Sequence, residues 1–214
     1  MGGQVPSGAL IKKKKGEGEQ EIVLRLLEHV GDDAGLSQSK FAERIGIAKG
    51  LANAYFNRCL QKGWIKLRQA PRQRYLYYLT PKGFAEKARL TAQFLTFSYQ
   101  FYREARADLM AAMSEAKQDG RRRLGVLGDG ELAEIAAAVS GEALIDIAGF
   151  VGSNGARERI AGLPVARSWG ELDGVDAALL ATVDDAKDIC DAMRRQYPEI
   201  VVYIPKQLSG LVWD

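Results

Sequence analysis

The chain has few of the residues that build disulfide frameworks, metal centres and membrane spans. Its 214 residues include two cysteines and one histidine. Cys59 and Cys190 show no metal-ligand spacing, so we expect neither a disulfide framework nor a metal site. Such sparing cysteine use fits the reducing cytoplasm. No run of about 18 apolar residues occurs, and a membrane-spanning helix is therefore not expected.

Catalytic residue types are scarce in the C-terminal half. No histidine follows His29, and residues 121–214 contain no Tyr-x-x-x-Lys pair of the short-chain dehydrogenase kind. Acidic side chains such as Asp129, Asp184 and Asp185 are of a type that serves as a general base. We expect instead that Asp184 caps a helix and that Glu131 and Glu134 face solvent. We therefore predict no catalytic residues and no enzymatic activity.

Charge is distributed unevenly along the chain. Residues 1–120 hold 20 Lys and Arg against 12 Asp and Glu, whereas residues 121–214 hold 10 against 15. The N-terminal part thus carries +8 and the C-terminal part −5. A basic N-terminal part suits a polyanion such as DNA, and the acidic part indicates a different task. Residues 1–18, rich in Gly and Lys, are expected to be a disordered basic tail and not a signal peptide.

The stretch from Ser37 to Gly83 alternates helix and strand signals. Ser37 or Ser39 suits a helix N-cap, and Gly46 suits the end of the same short helix. Residues 48–62 read as a second helix, 64–67 and 75–79 as two strands, and 68–74 as a basic loop with a proline. Helix, short turn, helix and basic hairpin make up a winged helix-turn-helix.

The residues of this stretch resemble a known family. Phe41-Ala42, Gly46-Ile47, Lys62-Gly63-Trp64-Ile65 and Leu79-Thr80-Pro81-Lys82-Gly83 are similar to MarR-type winged-helix regulators, most of all to the subgroup associated with exopolysaccharide genes. The resemblance covers roughly residues 20–115. It implies a cytoplasmic regulator that binds double-stranded DNA at a palindromic operator and controls polysaccharide genes.

The predicted DNA contacts fall on the second helix and on the hairpin. Asn pairs bidentately with adenine, so Asn53 and Asn57 are predicted to read bases. Basic side chains around them are predicted to contact phosphate or the minor groove. The full predicted set is Lys40, Lys49, Asn53, Asn57, Arg58, Arg68, Arg72 and Arg74.

A very long helix is predicted after the hairpin, with Thr80 as its cap, Pro81 at its start and an end near Asp119. Apolar and small residues recur at spacings of mostly four and three. A second apolar face holds Phe94, Phe97 and Phe101. We expect a homodimer through this helix, since a lone helix does not bury both faces; the alternative is a helix packed within its own chain. The members of the repeat are Phe84, Ala88, Thr91, Leu95, Ser98, Tyr102, Ala105 and Leu109.

The last part of the chain alternates strands with helices. Strands are predicted at 124–127, 144–151, 176–182 and 200–204, and helices from 130 to about 140 and at 184–197. This order predicts a Rossmann-like, doubly wound parallel sheet. Gly128-x-Gly130-x-x-Ala133 lies between the first strand and the first helix, where a glycine turn and a helix N-terminus hold a phosphate. The predicted ligand-binding residues are Gly128, Asp129, Gly130, Glu131, Leu132, Ser153, Asn154, Arg157 and Thr182.

The acidic residue that would hold the ribose of NAD is missing after the second strand, where Val151-Gly152-Ser153-Asn154 stands. The segments 127–136, 149–151, 160–165 and 169–172 are similar to nucleotide-sugar domains of polysaccharide biosynthesis. That resemblance implies a nucleotide-sugar effector. The overall plan is also similar to redox-sensing NADH repressors, which implies a dinucleotide instead. No tightly held cofactor is predicted.

These patterns predict a winged helix-turn-helix domain at 19–83, a dimerisation helix at 84–120 and a ligand-sensing domain at 121–214. The favoured function is a transcriptional regulator whose operator affinity responds to a nucleotide-type ligand. Two alternatives stay open. One is a nucleotide-sugar-processing domain tethered to DNA, and the other is a structural module with an empty cleft.

Overall fold

This computed structural model describes residues 15–32, 37–70, 74–152 and 157–213. The chain divides into two compact units, one that ends at Ser98 and one that starts at Tyr99. The division falls inside a long helix. The domain limits expected from the sequence, at 83 and 120, stay a prediction.

The first unit consists of three helices and a hairpin. Its elements are α1 (Lys15–Asp32), α2 (Gln38–Ile45), α3 (Lys49–Gln61), β1 (Ile65–Ala70) and β2 (Arg74–Leu79). The strands pair antiparallel, with Ile65 opposite Leu79 and Ala70 opposite Arg74. This is the expected winged helix. One expectation is wrong, because α1 already begins at Lys15 and residues 15–18 are helical; residues 1–14 lie outside the described ranges.

Local capping signals set the ends of α2. The side-chain oxygen of Ser37 accepts a hydrogen bond from the Lys40 amide at 3.2 Å, so Ser37 is the N-cap and Ser39 is not. Gly46 adopts a left-handed φ of 69° and donates its amide to the carbonyls of Ala42 and Glu43. Only glycine adopts that conformation without strain, and a three-residue turn to α3 follows.

Aromatic rings form the core of the first unit. Phe41 of α2 meets Phe56 of α3 edge to face, with ring centroids 5.5 Å apart. Phe56 in turn meets Tyr77 of β2 at 4.7 Å. Each such pair contributes about 0.5–1.5 kcal/mol beyond the burial of its area. The rings join both helices to the hairpin and fix the direction of the outer face of α3.

The junction between the hairpin and the long helix is tightly packed. The hydroxyl of Thr80 donates to the carbonyl of Gly63 at 2.6 Å and accepts from the amide of Gly83 at 3.0 Å. Thr80 is therefore the N-cap, and Pro81 stands at the first helical position, where no amide is needed. A Cβ at Gly83 would collide with the carbonyl of Trp64. The long helix thus leaves the hairpin at a fixed point.

This helix, α4 (Pro81–Gln118), contributes to both units. Leu90 is buried in the core of the first unit, whereas Ala105 and Leu109 are buried in the core of the second. The last two members of the expected repeat, Ala105 and Leu109, therefore pack within their own chain, as the alternative expectation holds for that end of the helix. Earlier members of the repeat stay open to solvent: Phe84 and Leu95 are each 61% exposed and Tyr102 is 43% exposed.

The second unit is built on a six-stranded sheet in the order β5-β6-β4-β3-β7-β8. All neighbouring strands are parallel except β5 and β6. Its elements are β3 (Arg123–Leu127), α5 (Glu131–Ala143), β4 (Asp146–Val151), β5 (Arg159–Ile160), β6 (Leu163–Ala166), β7 (Ala177–Leu180), α6 (Ala186–Gln196), β8 (Val201–Tyr203) and α7 (Lys206–Val212). None of the helices in the described ranges has both the length and the apolar character that crossing a bilayer requires.

Several sequence expectations for the second unit need correction. Leu144 does not open the second strand but ends α5 at a φ of 57°. Asp184 does not cap the next helix; Asp185 holds the N-cap position and makes no capping side-chain bond there. Strands β5 and β6 were not expected. The connection from β4 to β7 therefore contains two short antiparallel strands, and β6 joins the sheet beside β4.

Candidate nucleic-acid interface and ligand site

One face of α3 is buried and the other is open. Ala52, Phe56 and Cys59 have almost no exposed surface, and Tyr55 joins them on the inner side. Lys49, Asn53 and Asn57, all expected DNA contacts, are exposed. The amide of Asn57 donates to the side-chain oxygen of Asn53 at 3.3 Å. The aromatic core thus holds a helix whose outer face carries amide groups.

The outer face of α3 also includes residues outside the expected set of DNA contacts. Gly50, Leu51, Ala54 and Gln61 are exposed. A Cβ added at Gly50 would meet no heavy atom within 4 Å, so no internal packing requires glycine there. The 3.6-residue period of the helix was the signal available for Gln61, since it follows Asn57 by four positions.

Arg58 lies at the flank of this face and pairs within its own unit. Its guanidinium is 3.1 Å from the carboxylate of Glu19 on α1, and both side chains are partly exposed. An exposed pair of this kind contributes about 0.2–1 kcal/mol. Arg58 is therefore within reach of solvent but is held by an acidic neighbour, which the linear sequence did not indicate.

The hairpin carries basic and aromatic residues on its outer face. Lys66 and Arg68 alternate along β1 and are exposed, and Tyr78 stands opposite Lys66. Lys66 and Tyr78 were missed, although strand alternation places them beside Arg68. The expected 68–74 loop is shorter, because Arg68 belongs to β1 and Arg74 to β2. Arg72 lies outside the described residues, and Lys40 is exposed on α2.

Cys59 is a structural residue of the α3 core. Burial raises the pKa of its thiol from 9.0 to about 12. The neutral thiol therefore persists across the physiological range, and a buried neutral thiol is a poor nucleophile. No chemistry is expected at this position.

The glycine turn lies at the carboxyl end of β3, as expected. Gly128 has a φ of 128°, and a Cβ there would lie 2.6 Å from the carbonyl oxygen of Ala181. Its amide donates to the carbonyl of Val151 at 2.9 Å. Gly130 is the N-cap of α5 and makes no side-chain cap. Gly128 is thus required by packing between strand ends, while the space above Gly130 is open.

The side chain of Asp129 extends to the end of the neighbouring strand. Its carboxylate lies so close to Gly152, which directly follows β4, that Gly152 has no room for a Cβ. A carboxylate therefore stands at the end of the second parallel strand, although the sequence there is Val151-Gly152. The linear motif did not indicate this, because the acidic residue comes from the glycine turn.

The other expected ligand residues differ in what they contact. Thr182 lies beside Gly128 and accepts a hydrogen bond from the Asp184 amide at 3.2 Å. Arg157 pairs with Glu134 of α5, a bond that raises the pKa of its guanidinium. The side chain of Leu132 belongs to the core, which leaves its backbone for any ligand contact. Ser153 and Asn154 lie outside the described residues.

A second polar cluster joins the end of α4 to β8. The hydroxyl of Tyr203 donates to the carboxylate of Asp119 at 2.7 Å. Burial and this acidic neighbour raise the pKa of Tyr203 to about 12. Nearby, the backbone amide of Gln207 donates to the carboxylate of Asp108 at 3.0 Å. These bonds tie the last elements of the chain to α4 within the second unit.

The fold and the exposed α3 face define the first unit as a winged helix-turn-helix domain. Residues 19–66 match the family model described as winged helix-turn-helix DNA-binding. The matched segment spans most of α1, all of α2 and α3, and the start of β1. No curated protein matches the chain.

Solved structures give weaker similarities. A MarR family protein of Mycobacterium tuberculosis, Rv2887, in complex with p-aminosalicylic acid is 18% identical, with a TM-score of 0.30, over 33% of this chain and 55% of that one. MepR of S. aureus in complex with DNA is 16% identical, with a TM-score of 0.34, over 39% and 60%. CrgA, a LysR-type transcriptional regulator from Neisseria meningitidis, is 20% identical, with a TM-score of 0.24, over 64% and 43%.

The chain thus spans less than two-thirds of each of these proteins. Identities and TM-scores this low carry no argument about function. The assignment of the first unit depends on the family model and on the observed helix and hairpin arrangement.

Proposed function

We propose that this chain is a DNA-binding transcriptional regulator of the MarR type whose operator affinity responds to a nucleotide-type ligand. The observation that carries the DNA-binding part is the exposed polar face of α3, opposite a buried aromatic core and next to a hairpin with a basic outer face. A helix fixed in this way fits the major groove, and a basic wing suits phosphate or the minor groove.

The proposed DNA contacts remain those expected from the sequence, with Lys66 and Tyr78 of the hairpin added. Arg68→Ala, Arg72→Ala and Arg74→Ala are expected to weaken binding to all duplexes and to reduce its salt dependence, because phosphate contacts release counterions. Asn53→Ala is expected to relax base preference. A gel-shift series in which neither change occurs would reject the assignment. Gln118→Ala, an exposed amide on α4, is the matched control.

The ligand part of the proposal concerns the glycine turn. The five parallel strands are β3, β4, β6, β7 and β8. Numbered 1 to 5 by their order in the chain, they stand in the sheet in the order 3-2-1-4-5, which supports a Rossmann-like unit. The turn after β3 lies where the strand order reverses, and ligands of open sheets bind at such points. Gly130 offers open space at the start of α5. These features support a phosphate-bearing ligand at the turn. A nucleotide sugar as the effector and polysaccharide genes as targets remain proposals that rest on the sequence resemblance alone.

The position of Asp129 also favours a second candidate, a regulator that senses NAD(P)(H). A carboxylate at the end of the second strand holds ribose hydroxyls in dinucleotide sites, and the Asp129 side chain reaches that place next to Gly152. The missing acidic residue in the linear motif therefore does not exclude a dinucleotide.

A thermal-shift panel separates these ligands. NADH, NADPH, a CMP-sugar and a UDP-sugar are added to the whole chain, and a ligand at about 100 times its Kd should add about 2.7 kcal/mol of stability. Gly130→Val should abolish the shift at a cost of about 1 kcal/mol to the ligand-free chain, because no heavy atom lies within 4 Å of a Cβ at this position but Val is a poorer N-cap than Gly. Gly141→Ala, at an equally open glycine of α5, should retain it. No shift with any of the four would reject the ligand part.

The homodimer is also part of the proposal. Phe84, Leu95 and Tyr102 follow the coiled-coil spacing and stay exposed along α4. Pairing of two α4 helices would cover this row and place two α3 helices for the two halves of a palindromic operator. Ligand binding would then alter operator affinity only if the two states differ in ligand affinity.

A further inference from the structure

A hydrogen bond joins the hairpin to α2. The side-chain amide of Gln38, the first residue of α2, donates to the hydroxyl of Tyr77 on β2 at 3.0 Å. The two residues are 39 positions apart in the chain. Tyr77 is 7% exposed and Gln38 is half-buried, so the bond is partly shielded from water. It is a tertiary contact that connects two separate elements of the first unit.

Tyr77 holds the hairpin at a point between its base and its tip. At the base, the amide of Thr80 donates to the carbonyl of Trp64 at 3.0 Å. Tyr77 stands further along the hairpin, opposite Leu67. Of the hairpin side chains that the structure describes, it is the buried one nearest the tip. The exposed Arg68 lies beyond this point, so the direction of the tip depends on how Tyr77 is held.

The ring and the hydroxyl of Tyr77 contact different helices. The ring packs on Phe56 of α3, with centroids 4.7 Å apart, and the hydroxyl accepts from Gln38 of α2. Burial of apolar surface is non-directional, whereas a hydrogen bond restricts both the distance and the angle between its two groups. The two contacts together therefore fix the angle of the hairpin better than the ring contact alone.

We propose that Gln38 and Tyr77 are positioning residues whose hydrogen bond sets the angle of the hairpin against α2 and α3. This inference rests on the proposed DNA-binding function. With the bond made, the basic hairpin and α3 reach one duplex together, and each contact raises the effective concentration of the other. Without it, α3 still enters its groove, but the hairpin contacts the duplex for less of the time. Neither side chain needs to touch DNA for this role.

The first test compares wild type with Tyr77→Phe on a duplex that the whole wild-type chain enriches from a random-sequence library. Tyr77→Phe keeps the ring and removes the hydroxyl. It should weaken binding by about two- to tenfold, the range for one hydrogen bond. Hydroxyl-radical footprinting should show weaker protection of the nucleotides that Arg68→Ala also exposes, and unchanged protection elsewhere. Tyr99→Phe removes an exposed hydroxyl from α4 and should change neither the affinity nor the footprint.

The footprint separates positioning from a general structural effect. A damaged fold would weaken protection by α3 and by the hairpin alike. Equal loss over the whole footprint in Tyr77→Phe would therefore overturn the positioning role. An unchanged footprint would overturn it as well.

The other end of the bond supplies a second pair of variants. Gln38→Leu has a similar volume but no hydrogen-bonding group, whereas Gln38→Glu keeps an acceptor for the hydroxyl of Tyr77. Gln38→Leu should lose protection by the hairpin. Gln38→Glu should retain that protection, although its charge weakens binding to every duplex. Equal footprints for the two variants would contradict the proposal.

A double-mutant cycle with the hairpin completes the design. When Arg68→Ala and Arg74→Ala have removed the hairpin contacts, Tyr77→Phe should have no further effect on the Kd, because no contact is left to position. An undiminished effect in that background would overturn the proposal. If the wild type enriches no duplex, the proposed function itself fails. If it enriches one and all variants share its footprint, only the positioning role fails.

Discussion

At the scale of single residues, Arg58 shows how a tertiary contact modifies a predicted role. Its pairing with Glu19 bridges 39 positions of the chain. A DNA phosphate that binds Arg58 must compete with that carboxylate. Arg58 can therefore bind a phosphate only if its exposed ion pair with Glu19 breaks.

Glu19→Gln should therefore raise DNA affinity by up to about fivefold, since exposed pairs contribute about 0.2–1 kcal/mol. Fluorescence anisotropy with a labelled duplex measures the change. Glu28→Gln removes the same charge from the same helix and is the control for general electrostatics. If both variants gain equally, the Arg58 pair has no specific effect.

The buried thiol of Cys59 makes stability depend on alkaline pH. Its pKa is about 12 in the folded chain, against 9.0 ordinarily, so the unfolded chain loses this proton first. Stability is fully present below pH 9 and should fall as pH rises from about 9 toward 12. Tyr203, raised to about 12 in the second unit, acts in the same direction.

Cys59→Ala should be less stable at neutral pH, because it leaves a cavity, yet its melting temperature should fall less steeply between pH 9 and 10.5. Differential scanning calorimetry at several pH values tests this. A slope equal to that of the wild type would show that the thiol does not titrate in the unfolding reaction.

At the scale of elements, sequence reasoning succeeded where local signals decide the structure. The Ser37 cap, the left-handed Gly46 and the Thr80-Pro81 start of α4 each depend on residues within a few positions, so the pattern contains the information. Strand β6 was missed because Leu163-Pro-Val-Ala is short, and because it joins the sheet by pairing with β4, which lies at a distance in sequence. The Asp129 position beside Gly152 was missed for the same reason.

The 4-3 spacing along α4 was ambiguous for a different physical reason. A helix face that binds a partner and a face that packs on its own domain show the same period. Phe84 and Leu95 remain exposed, whereas Ala105 and Leu109 are buried within the second unit. Sequence periodicity identifies an apolar face but not what covers it.

The junction before α4 gives an element-scale prediction. Gly83→Ala should destabilise the first unit by about 1–3 kcal/mol, because the added Cβ meets the backbone carbonyl of Trp64. Gly18→Ala is the control, since no heavy atom lies within 4 Å of a Cβ there. The control should be stabilised by about 0.5–1 kcal/mol. Similar urea midpoints for both variants would contradict the packing described at the junction.

At the scale of the whole molecule, charge and fold point to two tasks. The +8 of residues 1–120 lies on the part that contains the winged helix, and the −5 of residues 121–214 on the part that contains the sheet. Helix α4 contributes buried residues to both cores. Under the proposed function, we expect a ligand effect on DNA binding to pass through this shared helix.

Dimerisation through α4 gives a prediction at this scale. Leu95→Glu should shift the chain from dimer to monomer in analytical ultracentrifugation and lower affinity for a palindromic duplex, while binding to a single half-site changes little. Leu211→Glu replaces another exposed leucine, on α7, and should stay dimeric. A wild-type chain that is monomeric at micromolar concentration, or a dimeric Leu95→Glu variant, would contradict the proposed interface.

The central claim, that this chain recognises a DNA sequence through α3 and the hairpin, is tested most directly by equilibrium binding to duplex DNA. One duplex is the sequence that the whole chain enriches from a random-sequence library, called the selected duplex, and the other is a scrambled duplex of equal composition. The Kd of the whole chain for each is measured by anisotropy from about 50 to 200 mM salt. The account predicts tighter binding to the selected duplex at every salt concentration and a linear fall of log affinity with log salt for both. Equal affinity for the two duplexes, or an affinity that does not respond to salt, would contradict it.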